Sequence, residues 1–399
     1  MTSTTTTSIF HTIQDVALDE NPSWKDILLL VFIAAVFWGV IITTGTRLLA
    51  YVVAGQPWLV RAAERDYYAT GKKMHEDIGE PKTLEEFIIS FSRMWPWLQM
   101  IFVQHFIGGL LCVPSVFGLL PENPGLANSL ACLAIISEAG WELEDTIGWV
   151  WKRYFTKTGV ADTSFALIII LLIHHSLATC VGLPMVYLYR DSKFVHWLTF
   201  DLQVAAGFCG LVVEYTKLLD LSTPNQLFQF KVFSGLGLLV AIWTRGFHWV
   251  YLCYQVLSSL ANEENWVVFA EAALIAFVFS GFNYMFVIAP FYKRFMKFLY
   301  VSAKYESLPA DSTPEQRRSS VWEMQQAAVD LQSHEASTEL TNLFLPQDEA
   351  SNRRASMPLE RGRIGRSSFS QIVRRRTSVG KAPFLRKSFV ESLEGIKEE

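Results

Sequence analysis

A chain of 399 residues is long enough for two or three soluble domains, but its composition excludes that class. Hydrophobic residues make up 51% of the chain and charged residues only 18%, and the charges lie outside long apolar runs. The net charge of -4 is the sum of two unlike parts, because Arg and Lys dominate the end of the chain while acidic residues are scattered through the first part. Composition predicts an integral membrane protein, whose partners are membrane lipids and not nucleic acid.

Seven apolar segments are long enough to cross a bilayer, since roughly 20 residues in a helix span about 30 Å of hydrocarbon. They lie near residues 27–50, 95–120, 127–150, 164–189, 194–219, 231–258 and 266–291. The third and the fifth carry several acidic residues, so a count of six spans stays open. The predicted fold is an all-α, polytopic membrane bundle with about seven transmembrane helices.

The distribution of Lys and Arg predicts the orientation of these spans. Cations accumulate in the connections after spans one, three and five, and cytosolic loops carry such an excess. This places the N-terminal segment 1–26 on the lumenal or exterior side and the C-terminus in the cytosol. Residues 27–92 then comprise the first span and a cytosolic interfacial segment, with a helix over 61–92 that breaks near Pro81, and residues 93–298 form a six-helix membrane domain.

Three acidic residues share one face of the third predicted span. Glu138, Glu142 and Asp145 stand at positions i, i+4 and i+7, which lie above one another on an α-helix. An ionisable side chain at mid-membrane costs about 2.5–3.5 kcal/mol even on insertion scales. We therefore expect this face to point into the bundle, where the acids either form a binding site or pair with bases that fix the helix register.

Basic side chains in other spans are the expected partners of these acids. His174 and His175 are adjacent in the fourth span and point about 100° apart, so one can face the interior while the other meets a neighbouring helix. Arg245 and His248, at i and i+3 of the sixth span, are the expected countercharges of the third-span acids. Further polar residues of the spans include Gln104, His105, Asp201, Glu214 and Lys217. Together they predict a polar cavity among helices two to six that binds a headgroup or transfers protons.

Sequence motifs for metal binding or nucleophilic hydrolysis are absent. Zinc sites commonly show HExxH or CxxC spacing, and serine hydrolases of the α/β type show Gly-x-Ser-x-Gly; the chain contains none of these. We expect no metal and no bound cofactor.

The segment Leu171–Thr179, with its His pair in an apolar helix, resembles the membrane-embedded double histidine of the TLC-domain family. Three further segments follow the order of that family: Gly140–Asp145 resembles the helix before the His pair, Val213–Lys217 the later Glu-containing helix, and Trp243–Arg245 the Arg-bearing one. The resemblance covers roughly residues 90–295.

This family includes ceramide synthases, which N-acylate sphingoid bases from acyl-CoA, and members linked to membrane lipid composition or protein export. The chain departs from the ceramide synthases where they carry a His-Asp pair, because Phe208–Leu211 stands there instead. From the resemblance and the polar faces together, the catalytic candidates are His174 and His175, and the substrate-binding candidates are Asp145, Glu142, Glu138, Glu214, Arg245 and His248.

These observations lead us to expect a protein of the endoplasmic reticulum or another endomembrane that acts on or senses membrane lipid. Whether it is an enzyme stays open. One alternative is a lipid N-acyltransferase related to ceramide synthases, with acyl-CoA as co-substrate and a histidine as general base. A second is a seven-span receptor, although the exterior loops carry no pair of cysteines. The sequence specifies neither the lipid nor the oligomeric state.

Residues 299–399 are predicted to form a disordered cytosolic tail, because they contain too little apolar surface to offset the entropy of ordering. A short helix is expected near 314–332. Basic residues outnumber acids from Arg353 to Lys387, which predicts adsorption to anionic lipid headgroups at about 1 kcal/mol per basic residue near the surface; a solvated charged tail is the alternative. Basic residues also precede four candidate sites for basophilic kinases, namely Ser356, Thr377, Ser378 and Ser388.

Phosphorylation should release the tail from lipid, since each phosphate adds up to about two negative charges. We predict that glutamate at Ser356, Ser378 and Ser388 weakens binding of the isolated tail to anionic vesicles in a co-sedimentation assay. Alanine at the same positions is the control and should leave binding unchanged. Equal binding of the glutamate and alanine tails would contradict the prediction.

Overall fold

A computed structural model of the protein describes residues 22–68, 83–156 and 165–309, together with residues 312, 313, 316 and 320. The first 21 residues, Pro81, nearly all of the helix predicted over 314–332, and the candidate sites Ser356, Thr377, Ser378 and Ser388 lie outside the described residues. Within the described part of the chain the structure is helical and contains no β-strand, which confirms the predicted all-α class.

The helices are α1 (Trp24–Val53), α2 (Pro57–Asp66), α3 (Leu84–Leu110), α4 (Val113–Val116), α5 (Pro124–Phe155), α6 (Phe165–Leu177), α7 (Leu183–Leu188), α8 (Lys193–Leu218), α9 (Pro224–Ile242), α10 (His248–Asn262), α11 (Trp266–Phe282) and α12 (Ala289–Glu306). Three π-helical segments join consecutive helices: Ala178–Gly182 joins α6 to α7, Trp243–Phe247 joins α9 to α10, and Asn283–Ile288 joins α11 to α12.

Six helical stretches in the described residues are long and apolar enough to cross a membrane. They are Trp24–Val53, Leu84–Val116, Leu171–Leu188, Lys193–Leu218, Pro224–Asn262 and Trp266–Ala303. The prediction of a multi-pass membrane protein is thereby confirmed. The helix predicted as the third span is present as the 32-residue α5, but its acidic residues keep it out of this apolar set, so a seventh span stays a prediction.

Large apolar side chains lie exposed along the outer faces of these helices. Val267 is 82% and Phe277 79% exposed on α11, and Phe32, Leu239 and Phe247 are also largely exposed. Water would oppose such an extended apolar surface, whereas lipid tails accept it without cost. The exposed surface therefore agrees with a bundle surrounded by lipid.

The described residues form two compact units, and the first comprises those within 22–49, 94–216 and 231–296. Its tightest helix contacts occur at glycines, where no side chain separates the backbones. A Cβ at Gly140 of α5 would lie 2.7 Å from the carbonyl oxygen of Val31 on α1, and a Cβ at Gly207 of α8 would lie 2.7 Å from that of Phe102 on α3. These contacts fix α5 against α1 and α8 against α3.

The second unit comprises the described residues within 50–93 and 217–230 and those from 297 onward. Leu59 on α2 is completely buried, and Arg65 donates a hydrogen bond of 2.8 Å from Nη2 to the carbonyl oxygen of Leu218. The interfacial helix predicted over 61–92 stays a prediction, because residues 69–82 lie outside the described part of the chain; on either side of them, α2 ends at Asp66 and residues 84–92 begin the long helix α3. From Leu84 to Leu110 the helix α3 is continuous, and the ring of Pro96 is accommodated inside it.

The glycine contacts predict that alanine has opposite effects on the free energy of unfolding at Gly207 and at Gly148. Gly207→Ala should lower the free energy of unfolding by about 1–3 kcal/mol, because the new methyl group overlaps the backbone of α3. Gly148→Ala on α5 is the matched control: its Cβ would meet no atom within 4 Å, and alanine favours the helix by up to about 1 kcal/mol. Thermal unfolding of the two variants in detergent tests this, and equal stability of both would contradict the packing.

Candidate functional site

Glu138 is a buried acid of α5 whose polar partners lie on α3. Gln104 donates a hydrogen bond of 3.1 Å from Nε2 to Glu138 Oε2. His105 Nδ1 lies 2.9 Å from Glu138 Oε1, a distance typical of an ion pair, although its N–H direction is not aligned for a hydrogen bond. Glu138 thus has two polar neighbours on α3, both on one turn of that helix.

His175 points toward α5, as expected for one member of the His pair. Its Nδ1 lies 2.6 Å from the hydroxyl oxygen of Thr146, and its Nε2 lies 3.8 Å from Oδ2 of Asp145. The ring of Trp141 packs edge-on against both His175 and His105, with ring centroids 5.7 and 4.7 Å apart. His175 is therefore buried among side chains of α5 and contributes to holding α6 in place.

His174 faces a different neighbourhood. Its ring stacks on Phe282 of α11, with centroids 5.1 Å apart and the ring planes 10° from parallel. Among the described residues its Nδ1 atom is buried and has no hydrogen-bond partner. This nitrogen is thus available to a molecule that enters the bundle.

A cavity of about 90 Å³ lies beside His174 in the first unit. A water molecule needs about 10–15 Å³ of such cavity volume, so the cavity has room for several water molecules or a small polar group. Most of its wall is aliphatic, with residues such as Ile135, Val195 and Leu202. The ionisable residues of the wall are His105, Glu138, Glu142, His174 and Arg245.

Arg245 and Glu142 are the charged groups of this wall with the fewest partners. Arg245 lies in a π-helical segment, is 8% exposed, and donates one hydrogen bond of 2.5 Å from Nη2 to the carbonyl oxygen of Leu202. Its Nε atom has no hydrogen-bond partner among the described residues. Glu142 is 4% exposed, and its Oε2 likewise has none in the same part of the chain. Such π-helical segments occur frequently at functional sites.

His248 does not serve as a countercharge for the acids of α5, and that expectation was wrong. Its Nδ1 lies 2.5 Å from Oδ2 of Asp201 on α8, and its ring stacks between Trp243 and Tyr251. The π-helical segment that contains Arg245 ends before His248, so their spacing is not that of one α-helical face. Arg245 lines the cavity, but in the described part of the chain it forms no ion pair with an acid of α5, so this part of the expectation was wrong as well. His248 pairs with α8.

The structure brings together only part of the predicted site. Glu138, Glu142, His174 and Arg245 line the cavity, while His175 and Asp145 are buried outside its wall, 3.8 Å from each other. The other candidates outside the wall of the cavity are Glu214, which is buried on α8, and His248.

Two polar residues that sequence reasoning left unassigned belong to the site. His105 was noted only as a polar residue of its span, and Gln203 was not singled out. Gln203 is buried and donates a hydrogen bond of 3.1 Å from Nε2 to the carbonyl oxygen of Ala134 on α5. The sequence contains a signal for both residues, because an amide or an imidazole inside an apolar span requires a buried hydrogen-bond partner.

Another polar cluster has its hydrogen bonds satisfied and is structural. His196 is completely buried, with Nδ1 2.6 Å from the hydroxyl oxygen of Ser115 and Nε2 2.8 Å from the carbonyl oxygen of Arg190. It ties α4 and the start of α8 to the turn after α7.

Known proteins do not identify this site. No family profile, no curated protein and no solved structure matches the chain. In the part of the chain that the structure describes, no group of three or more His, Cys, Asp or Glu residues is arranged to hold a metal ion. The function must be argued from the cavity itself.

The contact between His105 and Glu138 predicts strong coupling between two substitutions. His105→Leu should lower the free energy of unfolding by about 3–5 kcal/mol, because it leaves a buried carboxylate without its countercharge. The double variant with Glu138→Leu should recover most of this loss, since an apolar pair replaces a buried ionic pair at little cost. Chemical unfolding in detergent measures the coupling, and additive effects of the two changes would contradict the contact.

Proposed function

We propose that this membrane protein acts on or senses membrane lipid, with the polar end of the lipid inside the cavity beside His174. One observation carries the proposal: buried polar atoms of His174, Glu142 and Arg245 have no hydrogen-bond partner among the described residues, and all three side chains line one mostly aliphatic cavity.

The energetics of these groups favour a ligand. An uncompensated charge inside a protein costs several kcal/mol, and ionisable groups inside a membrane are functional by default. A lipid supplies polar atoms for the ionisable residues and a chain for the aliphatic wall formed by residues such as Val195 and Leu202. An entirely polar solute would leave that wall unmatched.

We also propose that the chain is related to the TLC-domain family and resides in the endoplasmic reticulum or another endomembrane. Support comes from the resemblance of its segments and from the fact that three of them, Gly140–Asp145, Leu171–Thr179 and Trp243–Arg245, contribute at least one residue each to the cavity. In this proposal α5 is a seventh span, the N-terminus is lumenal or exterior, and the C-terminus is cytosolic. The charge distribution of the loops supports the orientation.

An N-acyltransferase is the alternative that one observation favours. His174 lines the cavity and its Nδ1 has no hydrogen-bond partner among the described residues; in such an enzyme this nitrogen would serve as the general base for the attacking amine. Acyl-CoA would be the co-substrate. The absence of the ceramide-synthase His-Asp pair at Phe208–Leu211 argues against this alternative, so lipid binding without acyl transfer is the function we favour.

Lipid bound in the cavity should survive purification of the full-length protein. We expect mass spectrometry to detect a lipid in the wild type and about tenfold less of it in His174→Leu, because that change removes the polar nitrogen and fills the site. Glu144→Gln is the control, since Glu144 lies on α5 outside the wall of the cavity and should retain the lipid.

The same preparations distinguish acyl transfer from binding alone. When supplied with acyl-CoA and a sphingoid base, the wild type should form no more ceramide than a variant with alanine at both His174 and His175. Product above that background would establish the acyltransferase. The absence of any lipid specific to the wild type would refute the proposed function.

A further inference from the structure

The cavity contains a buried acidic side chain and a buried basic side chain that do not pair with each other. Glu142 and Arg245 both line it, and each is at least nine-tenths buried. Among the described residues neither takes part in an ion pair, so their charged atoms are more than 4 Å apart. The structure therefore keeps an acid and a base in one cavity and leaves a space between them.

The other acids near the cavity have partners of their own. Glu138 is contacted by His105 and Gln104, and Asp201 is contacted by His248. Asp145 lies 3.8 Å from the His175 ring. Glu142 and Arg245 are thus the charges left for a bound molecule.

Resting on the proposed lipid function, we infer that the cavity binds the zwitterionic headgroup of a phospholipid with a primary amine, an ethanolamine phosphodiester. The ammonium group pairs with the Glu142 carboxylate, and the phosphodiester pairs with the Arg245 guanidinium, whose Nε–H is the free donor. Guanidinium groups are well suited to phosphate, because their N–H donors match its oxygen atoms. The headgroup thereby compensates both buried charges at once.

The wall of the cavity distinguishes this headgroup from related ones. A primary ammonium has three N–H donors for Glu142, whereas trimethylammonium has none and is usually bound by several aromatic faces. In the described residues, Phe279 is the one Phe, Tyr or Trp ring in the wall, so such a cage is missing. An anionic headgroup without an amine would face Glu138 and Glu142 without compensation.

Competition between two phospholipids on the full-length protein tests this inference. Detergent-solubilised protein is given equal amounts of phosphatidylethanolamine and phosphatidylcholine with identical chains, and native mass spectrometry measures which remains bound. We expect about tenfold more phosphatidylethanolamine on the wild type, which corresponds to about 1.4 kcal/mol. Glu142→Gln keeps the shape of the side chain and should bring the ratio close to one.

Matched variants separate the two contacts. Arg245→Gln should reduce retention of both phospholipids, and Arg245→Lys, which keeps the positive charge, should restore part of it. Glu144→Gln on the same helix as Glu142 should leave the preference unchanged, because Glu144 does not line the cavity. Thermal unfolding of each variant, with lipid present, shows whether it is folded, and Arg245→Lys and Glu142→Gln are the mildest changes at their positions.

Soluble glycerophosphoethanolamine distinguishes a lipid from a free phosphodiester. At a concentration equal to that of the phospholipid it should displace less than a tenth of it, because the chains contribute to binding; full displacement would assign the cavity to a soluble ligand. Equal retention of the two phospholipids by the wild type, or an undiminished preference in Glu142→Gln, would overturn the inference. Retention of a lipid of another class by the wild type would overturn the inference but leave the proposed function intact. The absence of any retained lipid would overturn both the inference and the proposed function.

Discussion

The polar interior depends on one constraint, which is the burial of Glu138 of α5 against α3. A carboxylate in this position requires a countercharge and a hydrogen-bond donor, and His105 and Gln104 supply them from adjacent positions of α3. That arrangement fixes the rotation and height of α5 relative to α3. Because Glu142 follows one turn later on α5, the same rotation also directs it into the cavity.

Close backbone packing makes this arrangement possible. Gly207 brings α8 against α3, and Gly140 brings α5 against α1, so that polar side chains of these helices are buried from lipid. The exposed faces of the helices are largely apolar, while the wall of the cavity includes five of the buried polar atoms that lack a hydrogen-bond partner among the described residues. In the function proposed above, a bound headgroup, and not another side chain, completes the interactions of Glu142 and Arg245.

Local sequence predicted the helices well. The apolar segments predicted near 27–50 and 194–219 correspond to α1 and α8 within a few residues, because the length of an apolar run is a local property. The turns also follow local signals: Asn123 accepts a hydrogen bond of 3.1 Å from the backbone N–H of Leu126 and caps α5. The start of α3 differed from prediction, since residues 84–92 are amphipathic at helical spacing whether they lie at an interface or lead into a span.

By itself the sequence determined that this is a helical membrane protein and that the acids of α5 are buried, because hydrophobicity and helical spacing are properties of single segments. Only the tertiary structure decided the partners. His248 pairs with Asp201, 47 residues away, and not with an acid of α5, and Gln203 bonds to the backbone of Ala134. Each span carries polar residues with several possible partners, and the choice among them depends on which helices adjoin and how each is rotated, information that no single segment contains.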